Sequence, residues 1–346
     1  MYSDDRYVAL KILNGYHTDL LAAGRVWEIE ALSRISSSPP SPHCIRLLST
    51  FKFRGREEDG EHLCIVTPVL AGNVKFLSEI LGAEFGNRRL PLPLAKRIAL
   101  HMLRGVAHAH GRGVIHTDLK HDNIFFSTRM DEADFKRLLE SDPARRHPPE
   151  LSANGTVRSA VSQPLSPHTT VEEALKLDFT VGDFGNAQHI RDHIQDEITS
   201  VQLRPPEIIL GGPWSEKVDI WSVGCLLYEF VIGRPLFRYC PWPKYKLDAM
   251  SYLLYQIMVY TCEDFWPGQL AVSKLSGDYF DETGNLKAHP PMFNYPFDVA
   301  IKRSKVLGDD DADALAAIMG RCLCLNPATR ATASELLSDP WFSGVE

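Results

Sequence analysis

No Cys-x-x-Cys pair occurs in the 346 residues; seven cysteines stand apart at 44, 64, 225, 240, 262, 322 and 324. That spacing indicates neither a zinc knuckle nor a disulfide framework. Cys322 and Cys324 lie too close together for a knuckle and read as core thiols. The opening, MYSDDRYVALKIL, lacks a basic stretch followed by a long apolar run, so it does not read as a secretory leader. Long apolar runs are missing elsewhere too. Residues 220–232 are interrupted by Ser222, Gly224 and Glu229, and are too short to cross a bilayer. There is no excess of positive charge: the formal net charge is −7, which argues against direct nucleic-acid binding and suits a basic partner. No internal repeat is visible. These absences lead to the expectation of a monomer in the cytoplasm or nucleus, away from membranes.

What is present is ordinary for a folded chain, 44% hydrophobic and 23% charged residues, enough for one large domain or two lobes sharing a cleft. Residues 7–13 are strand-forming and carry one lysine. Residues 20–35 read as one helix, with Leu21, Trp27, Ala31, Leu32 and Ile35 able to share a face. The breakers in SSSPPSPH (36–43) mark a loop. Residues 44–53 and 62–70 are strand candidates. Residues 93–110 form a strong helix, with Leu94, Ile98, Met102 and Val106 four apart. Residues 127–178, rich in Ser, Pro, Thr and charge, read as an inserted mobile segment. Residues 219–232 are apolar nearly all round, hence a central helix. The order, strands first and helices after, gives an α+β fold with a small β-rich lobe and a larger α-rich one.

The chemistry sits in four clusters. HTDLKHDN (116–123) brings His116, Asp118, Lys120 and Asn123 into one short loop. A carboxylate, an ammonium and an amide so arranged can orient a hydroxyl, offset anionic charge and hold a hard cation. VGDFGNA (181–187) offers Asp183 as an oxygen ligand, Phe184 as an apolar plug and Gly185 for a sharp turn. YVALKIL sets Lys11 in a strand, where an anion from the next helix must fix it. Glu28 and Glu30 are the candidates, and Glu28 is preferred because Leu32, four residues on, then points into the core. Finally, RPPEIIL (204–210), DIWSVG (219–224) and NPATR (326–330) supply Glu207, Asp219 and Arg330. Each cluster alone has a plainer reading: a polar loop, a chance tripeptide, an exposed strand lysine.

Together the clusters resemble the protein kinase superfamily over nearly the whole chain: H-x-D-x-x-x-x-N, D-F-G, a V-A-I-K-type lysine and an A-P-E-like segment. Closer features resemble the serine/arginine-protein kinase (SRPK) family: Thr117 within HTDLK, Asn186–Ala187 after the DFG triplet, the runs LLSTFKF…HLCIV and GDYFDETGNL, and an insert between the two loop motifs. The resemblance implies a bilobal fold, with a partial small lobe over 1–70 and a large lobe over 71–346. It implies an ATP- and Mg²⁺-dependent protein serine/threonine kinase whose protein substrates are rich in Arg and Ser. Asp118 would orient the acceptor hydroxyl, with Lys120 on the moving phosphate. Asn123 and Asp183 would hold Mg²⁺. Lys11, fixed by Glu28, would meet the α- and β-phosphates, and Ala9, Pro68, Leu70 and Phe125 would surround adenine. His116, Phe184, Gly185, Glu207, Asp219 and Arg330 would support the site, Asp219 by capping backbone amides and Glu207 by pairing with Arg330. Asp248 and Arg204 would meet substrate.

Some family features depart. No glycine-rich loop precedes Lys11, so the chain as given is expected to bind ATP poorly and one extended upstream more tightly. The hinge reads Thr67-Pro68-Val69-Leu70, Val201 replaces an arginine of the activation segment, and Tyr255 replaces a docking glutamate. The rival readings are a pseudokinase or regulatory scaffold on the same fold, which the intact Lys11, Asp118, Lys120, Asn123 and Asp183 oppose, and a small-molecule phosphotransferase, which Glu207 with Arg330 opposes.

Overall fold

The computed structural model describes residues 7–55, 60–82, 88–152, 155–161, 163, 165 and 170–346. Val8–Ile12 (β1) leads into helices Gly15–Ala22 (α1) and Glu28–Ser36 (α2). The single helix expected over 20–35 is therefore two. Gly24 between them adopts φ +69°, the left-handed region open to glycine, which stops one helix before the next begins. Ser49–Arg54 (β2) and Glu61–Pro68 (β3) follow, and the sheet order is β1-β3-β2, antiparallel throughout. Lys11 lies opposite Ile65 in this ladder.

Leu70–Asn73 (β4), Val74–Gly82 (α3) and Leu92–Gly111 (α4) carry the chain into the larger part. Helix α4 buries Leu94, Ile98, Met102 and Val106 on one face. At Gly105 a Cβ would lie 2.3 Å from the His43 carbonyl oxygen, so glycine is what lets the 36–43 loop settle on this helix. Val114–Ile115 (β5) and Ile124–Ser127 (β6) bracket the HTDLKHDN loop. Strand β6 is the centre of a three-stranded sheet, β4-β6-β9, where β9 is Phe179–Val181.

Between β6 and β9 the stretch expected to be mobile carries defined elements. Glu132–Ser141 (α5) has a capping box made by Asp131 and Asp134, and Val171–Ala174 (α6) has one made by Thr170 and Glu173. Strands Glu150–Ser152 (β7) and Gly155–Val157 (β8) pair between them. Enough apolar surface is buried to order these ends: Phe135, Ala174 and Leu177 are buried, and the Phe135 ring sits 5.1 Å from that of Tyr7.

After Gln188–His189 (β10), which pairs with β5, the chain is helical: Pro206–Ile209 (α7), Lys217–Ile232 (α8), Ala249–Thr261 (α9), Pro267–Ala271 (α10), Ser276–Tyr279 (α11), Phe297–Ser304 (α12), Asp309–Cys322 (α13) and Ala333–Leu336 (α14). Helix α8 is buried on all sides except at Lys217 and Glu229, so the other helices pack around it. Among the described residues no helix is long and apolar enough to cross a membrane. The fold is mixed α/β, with N-terminal strands and a helical C-terminal region.

Two buried histidines tie the parts together. The rings of His43 and His101 lie 4.1 Å apart; His43 Nδ1 is 3.0 Å from the Phe179 carbonyl oxygen, and His101 Nδ1 accepts from the Phe179 N–H at 3.2 Å. Burial holds both imidazoles below the usual histidine range, that of His101 down to about 3. The unfolded chain thus binds more protons than the folded one at mildly acid pH. The stability these groups contribute is complete above the ordinary histidine pKa of about 6.5 and is lost as pH falls below it. Thermal melting should show a lower Tm at about pH 5 than at about pH 7.5, and a smaller decrement in His101→Gln, which cannot take the proton. Equal decrements in the two proteins would contradict this assignment.

Candidate active site

A strand turns alternate side chains to one face, and on β1 this sets Ala9 and Lys11 together. The Lys11 ammonium lies 2.7 Å from Glu28 Oε1 and 2.9 Å from Asp183 Oδ1. Glu28 opens α2 and is buried on the same face as Ala31, Leu32 and Ile35; Glu30 points away and pairs with Arg34 at 2.9 Å. Burial alone would lower the Lys11 pKa, but the two carboxylates outweigh it and raise it. Burial would likewise raise Asp183, and the Lys11 charge and hydrogen bond hold it below the usual carboxylate range. Both stay charged at neutral pH. The sharp turn lies at Asp183 itself, with φ +58°, rather than at Gly185. At Gly185 a Cβ would sit 3.3 Å from Asp183 Oδ1 and 3.4 Å from Lys11 Nζ, close enough that this ion pair would have to shift slightly.

The 116–123 loop hangs from α8. Asp219 is buried at its first turn, and its carboxylate accepts from the backbone N–H groups of His116 and Thr117, each at 2.8 Å. His110 Nε2 adds a third contact at 2.8 Å, and although burial alone would raise the Asp219 pKa, these partners keep it low. His116 in turn receives the Asp118 N–H on Nδ1 at 3.2 Å and reaches the Gly182 carbonyl with Nε2 at 2.9 Å. Its ring packs 4.8 Å from the buried Phe184. Asp118 Oδ2 is held by Lys120 at 2.7 Å and by the Asn123 amide at 3.3 Å, while that amide also donates to the Asp118 carbonyl at 2.9 Å. The Gly182 N–H donates to the Asn123 carbonyl at 2.9 Å, which ties the two loop motifs backbone to backbone.

The far support is a buried ion pair. Arg330 grips Glu207 with both ends of its guanidinium, at 2.5 and 2.7 Å, and stacks 4.9 Å from the Trp221 ring. Its Nε donates to the Cys324 carbonyl at 2.9 Å. Bidentate, hydrogen-bonded geometry of this kind is what makes a buried pair tolerable.

Residues 188–204 are latched mainly by hydrogen bonds to backbone groups. Thr117 is buried with φ +64°; its hydroxyl donates to the Asn186 carbonyl at 2.7 Å and its own carbonyl accepts from the Thr199 N–H at 3.0 Å. The sequence reading missed Gln188. This buried side chain accepts from the N–H groups of Ile194 and Gln195 at 2.6 and 3.2 Å and donates to the Gln195 carbonyl at 2.9 Å. The signal available was its inward place on β10, opposite Ile115. Arg204 belongs to the same latch: its guanidinium donates to the Thr199 carbonyl at 3.1 Å and is mostly buried, rather than presented to solvent.

The remaining candidates spread out. Phe125 lies on β6 beside Asp183's neighbour Gly182, where a Cβ would meet its ring at 3.0 Å. Pro68 closes β3 opposite Val8, and Leu70 opens β4 opposite Ser127. Asp248 is not brought to this cluster; it caps α9 by accepting the Ser251 N–H at 2.7 Å and is exposed. Tyr255, on the same helix, is buried and donates to the Pro291 carbonyl at 3.0 Å.

The family model described as protein kinase domain matches residues 2–147 and 168–342. The chain is similar to Protein kinase dsk1 of Schizosaccharomyces pombe, 24% identical over 428 residues that cover 98% of this chain and 76% of that protein. It is 28% identical over 371 residues to Serine/threonine-protein kinase SRPK of Physarum polycephalum, covering 98% of this chain and 80% of the other. Against Dual specificity protein kinase CLK1 of Mus musculus it is 25% identical over 349 residues, covering 97% of this chain and 60% of the relative.

If Gln188 holds the segment, Gln188→Ala should speed amide hydrogen exchange at Ile194 and Gln195 by at least about tenfold, the worth of one to two buried hydrogen bonds. Phosphatase treatment of the wild type should leave those amides protected. Exchange unchanged in the variant would remove Gln188 from the latch.

Proposed function

The chain belongs to the protein kinase family, and we propose on that footing that it is an active serine/threonine kinase that transfers the ATP γ-phosphate to hydroxyls in Arg/Ser-rich proteins. The observation that carries this is the Lys11 ammonium held between Glu28 and Asp183 at 2.7 and 2.9 Å. Two carboxylates that keep one ammonium charged and oriented make it fit to receive phosphate. A small lobe over 1–70 and a large lobe over 71–346 would then enclose the nucleotide between Ala9, Pro68, Leu70 and Phe125. The substrate class is supported by the similarity to SRPK-named kinases and by the net charge of −7.

Each residue has a chemical task in this reading. Asp118 Oδ2 is already committed to Lys120 and Asn123, so its second oxygen is the one to accept from the incoming Ser or Thr hydroxyl and aim it. Lys120 steadies that carboxylate and turns its charge toward the departing phosphate. The donor set suits Mg²⁺: Asp183 keeps one oxygen clear of Lys11, and Asn123, with its NH₂ committed to Asp118, keeps its amide oxygen. Two protein oxygens are few, and a magnesium ion that retains waters and phosphate oxygens asks for no more. When bound, it supplies positive charge that offsets the charge building on the phosphates. Thr117, having no charge, gives a phosphorylated activation segment nothing to pair with, and the Gln188 latch does that work with neutral bonds. Activity should accordingly not depend on phosphorylation of this segment.

Asp118→Asn should lower phosphotransfer from labelled ATP by at least about a thousandfold while nucleotide affinity stays near that of the wild type, as suits a group that aims the acceptor. Asp183→Asn should instead weaken Mg-ATP binding itself. Full turnover in Asp118→Asn would sink the mechanism. On length-matched peptides, Arg/Ser repeats should be preferred to Lys/Ser, Pro-directed and acidic sequences; preference for either of the last two would overturn the substrate class and leave the reaction standing.

A further inference from the structure

The insert between β6 and β9 holds a serine that the catalytic cluster does not use. Two Arg-Ser dipeptides occur in the chain, Arg158-Ser159 and Arg303-Ser304. An acceptor hydroxyl has to come into line with the γ-phosphate, which a serine locked in a helix cannot do. Ser304 ends α12, is half-buried, and its hydroxyl donates to the Ile301 carbonyl at 2.6 Å. Ser159 lies outside any helix and is exposed, as is Arg158. Among the described residues its hydroxyl has no hydrogen-bond partner. The backbone here forms a short antiparallel bridge. Arg146 stands opposite Ala160, the His147 N–H donates to the Ser159 carbonyl at 2.9 Å, and the Val161 N–H donates to the Arg145 carbonyl at 2.9 Å. This register sets Ser159 opposite His147 and diagonal to Arg145, all three on one face. Arg146 belongs to the other face, where its guanidinium donates to the Arg158 carbonyl at 3.1 Å. Arg145 is lightly held, paired with Asp142 at 3.5 Å and exposed at both ends of the pair.

We propose that Ser159 is a phosphorylation site of this chain, that a second copy of the chain modifies it, and that Arg145 and His147 then hold the phosphate. This rests on the kinase reading and deepens it, since it names one protein substrate. In the step, Ser159 Oγ bonds to the γ-phosphorus of ATP as the bond from that phosphorus to the β,γ-bridging oxygen breaks. ADP leaves with the electron pair, and the hydroxyl proton passes to Asp118 of the second copy and on to solvent. A two-stranded bridge this short is marginal in water, so Ser159 can be drawn out of it into a cleft. Its own cleft is badly placed. The insert leaves from Ser127, the end of β6 away from Asn123, and its root is closed by the Ser127 N–H on the Asp178 carbonyl at 2.9 Å. Phe135 further pins α5 against Tyr7. The phosphoserine carries nearly two negative charges against the one of Asp142, so Arg145 moves from carboxylate to phosphate. His147 adds a ring N–H from directly across. These charge-assisted bonds join the two sides of the bridge through side chains and staple it.

The test is phosphosite mapping by mass spectrometry after dephosphorylated protein is incubated with Mg-ATP, with an Arg/Ser peptide in a parallel reaction. Ser159 should acquire phosphate. Asp118→Asn protein should acquire none by itself and should acquire it at Ser159 once wild type is added. Arg158→Gln should slow modification of Ser159 by at least about tenfold, the worth of one charged contact, and leave turnover of the peptide unchanged. The latch is read separately, in protein made with phosphoserine at 159. The amides of His147 and Val161 should then exchange with solvent about fivefold more slowly than in the unmodified chain, and Arg145→Gln should remove most of that gain. A phosphorylated peptide beside an unmodified Ser159 would overturn the site and leave the kinase reading standing. Peptide and Ser159 both unmodified would overturn both. Phosphate on wild-type Ser159 but none on Asp118→Asn in the mixture would overturn transfer between copies, and exchange unchanged by phosphoserine would overturn the latch.

Discussion

The site depends on one buried carboxylate. Asp219 stands on the first turn of a helix with almost no exposed surface, and its two oxygens take the backbone N–H groups of His116 and Thr117. Residues 116–119 of this loop carry no regular secondary structure, so their backbone donors need partners from outside. Placing those partners on a helix buried almost all round transfers the rigidity of the core to this loop. From Asp219 the order passes to His116, to the Gly182 carbonyl, and so to Asp183 and Lys11. A single run of hydrogen bonds thereby joins the C-terminal helices to the first strand.

Thr117 shows what this arrangement costs and gains. Its backbone is forced to φ +64°, a region β-branched residues seldom adopt. It is held there by Asp219 on its N–H, by Asn186 through its hydroxyl and by Thr199 on its carbonyl. The strained residue therefore fixes both ends of the segment between Asn186 and Thr199. With Gln188 bonding the middle and Arg204 on the Thr199 carbonyl, the segment is ordered by groups that carry no phosphate and that no phosphatase can alter.

Much of this was legible in the sequence because the chemistry demands particular residue types at short spacing. The 116–123 and 181–187 loops announce themselves, and the preference for Glu28 over Glu30 followed from helix phase, since Leu32, four residues on, then points into the core. What escaped depended on tertiary contacts with no local signature. Gln188 is one polar residue among several until the fold buries it. Glu229 reads as an interruption in an apolar helix until the fold buries its carboxylate 3.4 Å from His121 Nε2. The break at Gly24 was hidden because the apolar spacing runs on through it. The helices at 132–141 and 171–174 were hidden by a composition of Ser, Pro and charge, although the capping residues Asp131 and Thr170 were there to be read.

The central claim is that the loop works because Asp219 suspends it, and Asp219→Asn tests this most directly. The amide replaces one acceptor oxygen with an NH₂ that opposes a backbone N–H, and changes little else in size. In protein shown to be folded by its near-ultraviolet circular dichroism, the account predicts that kcat for phosphotransfer falls by at least about a hundredfold, the cost of one or two misplaced catalytic contacts. A folded Asp219→Asn protein with the kcat of the wild type would contradict it.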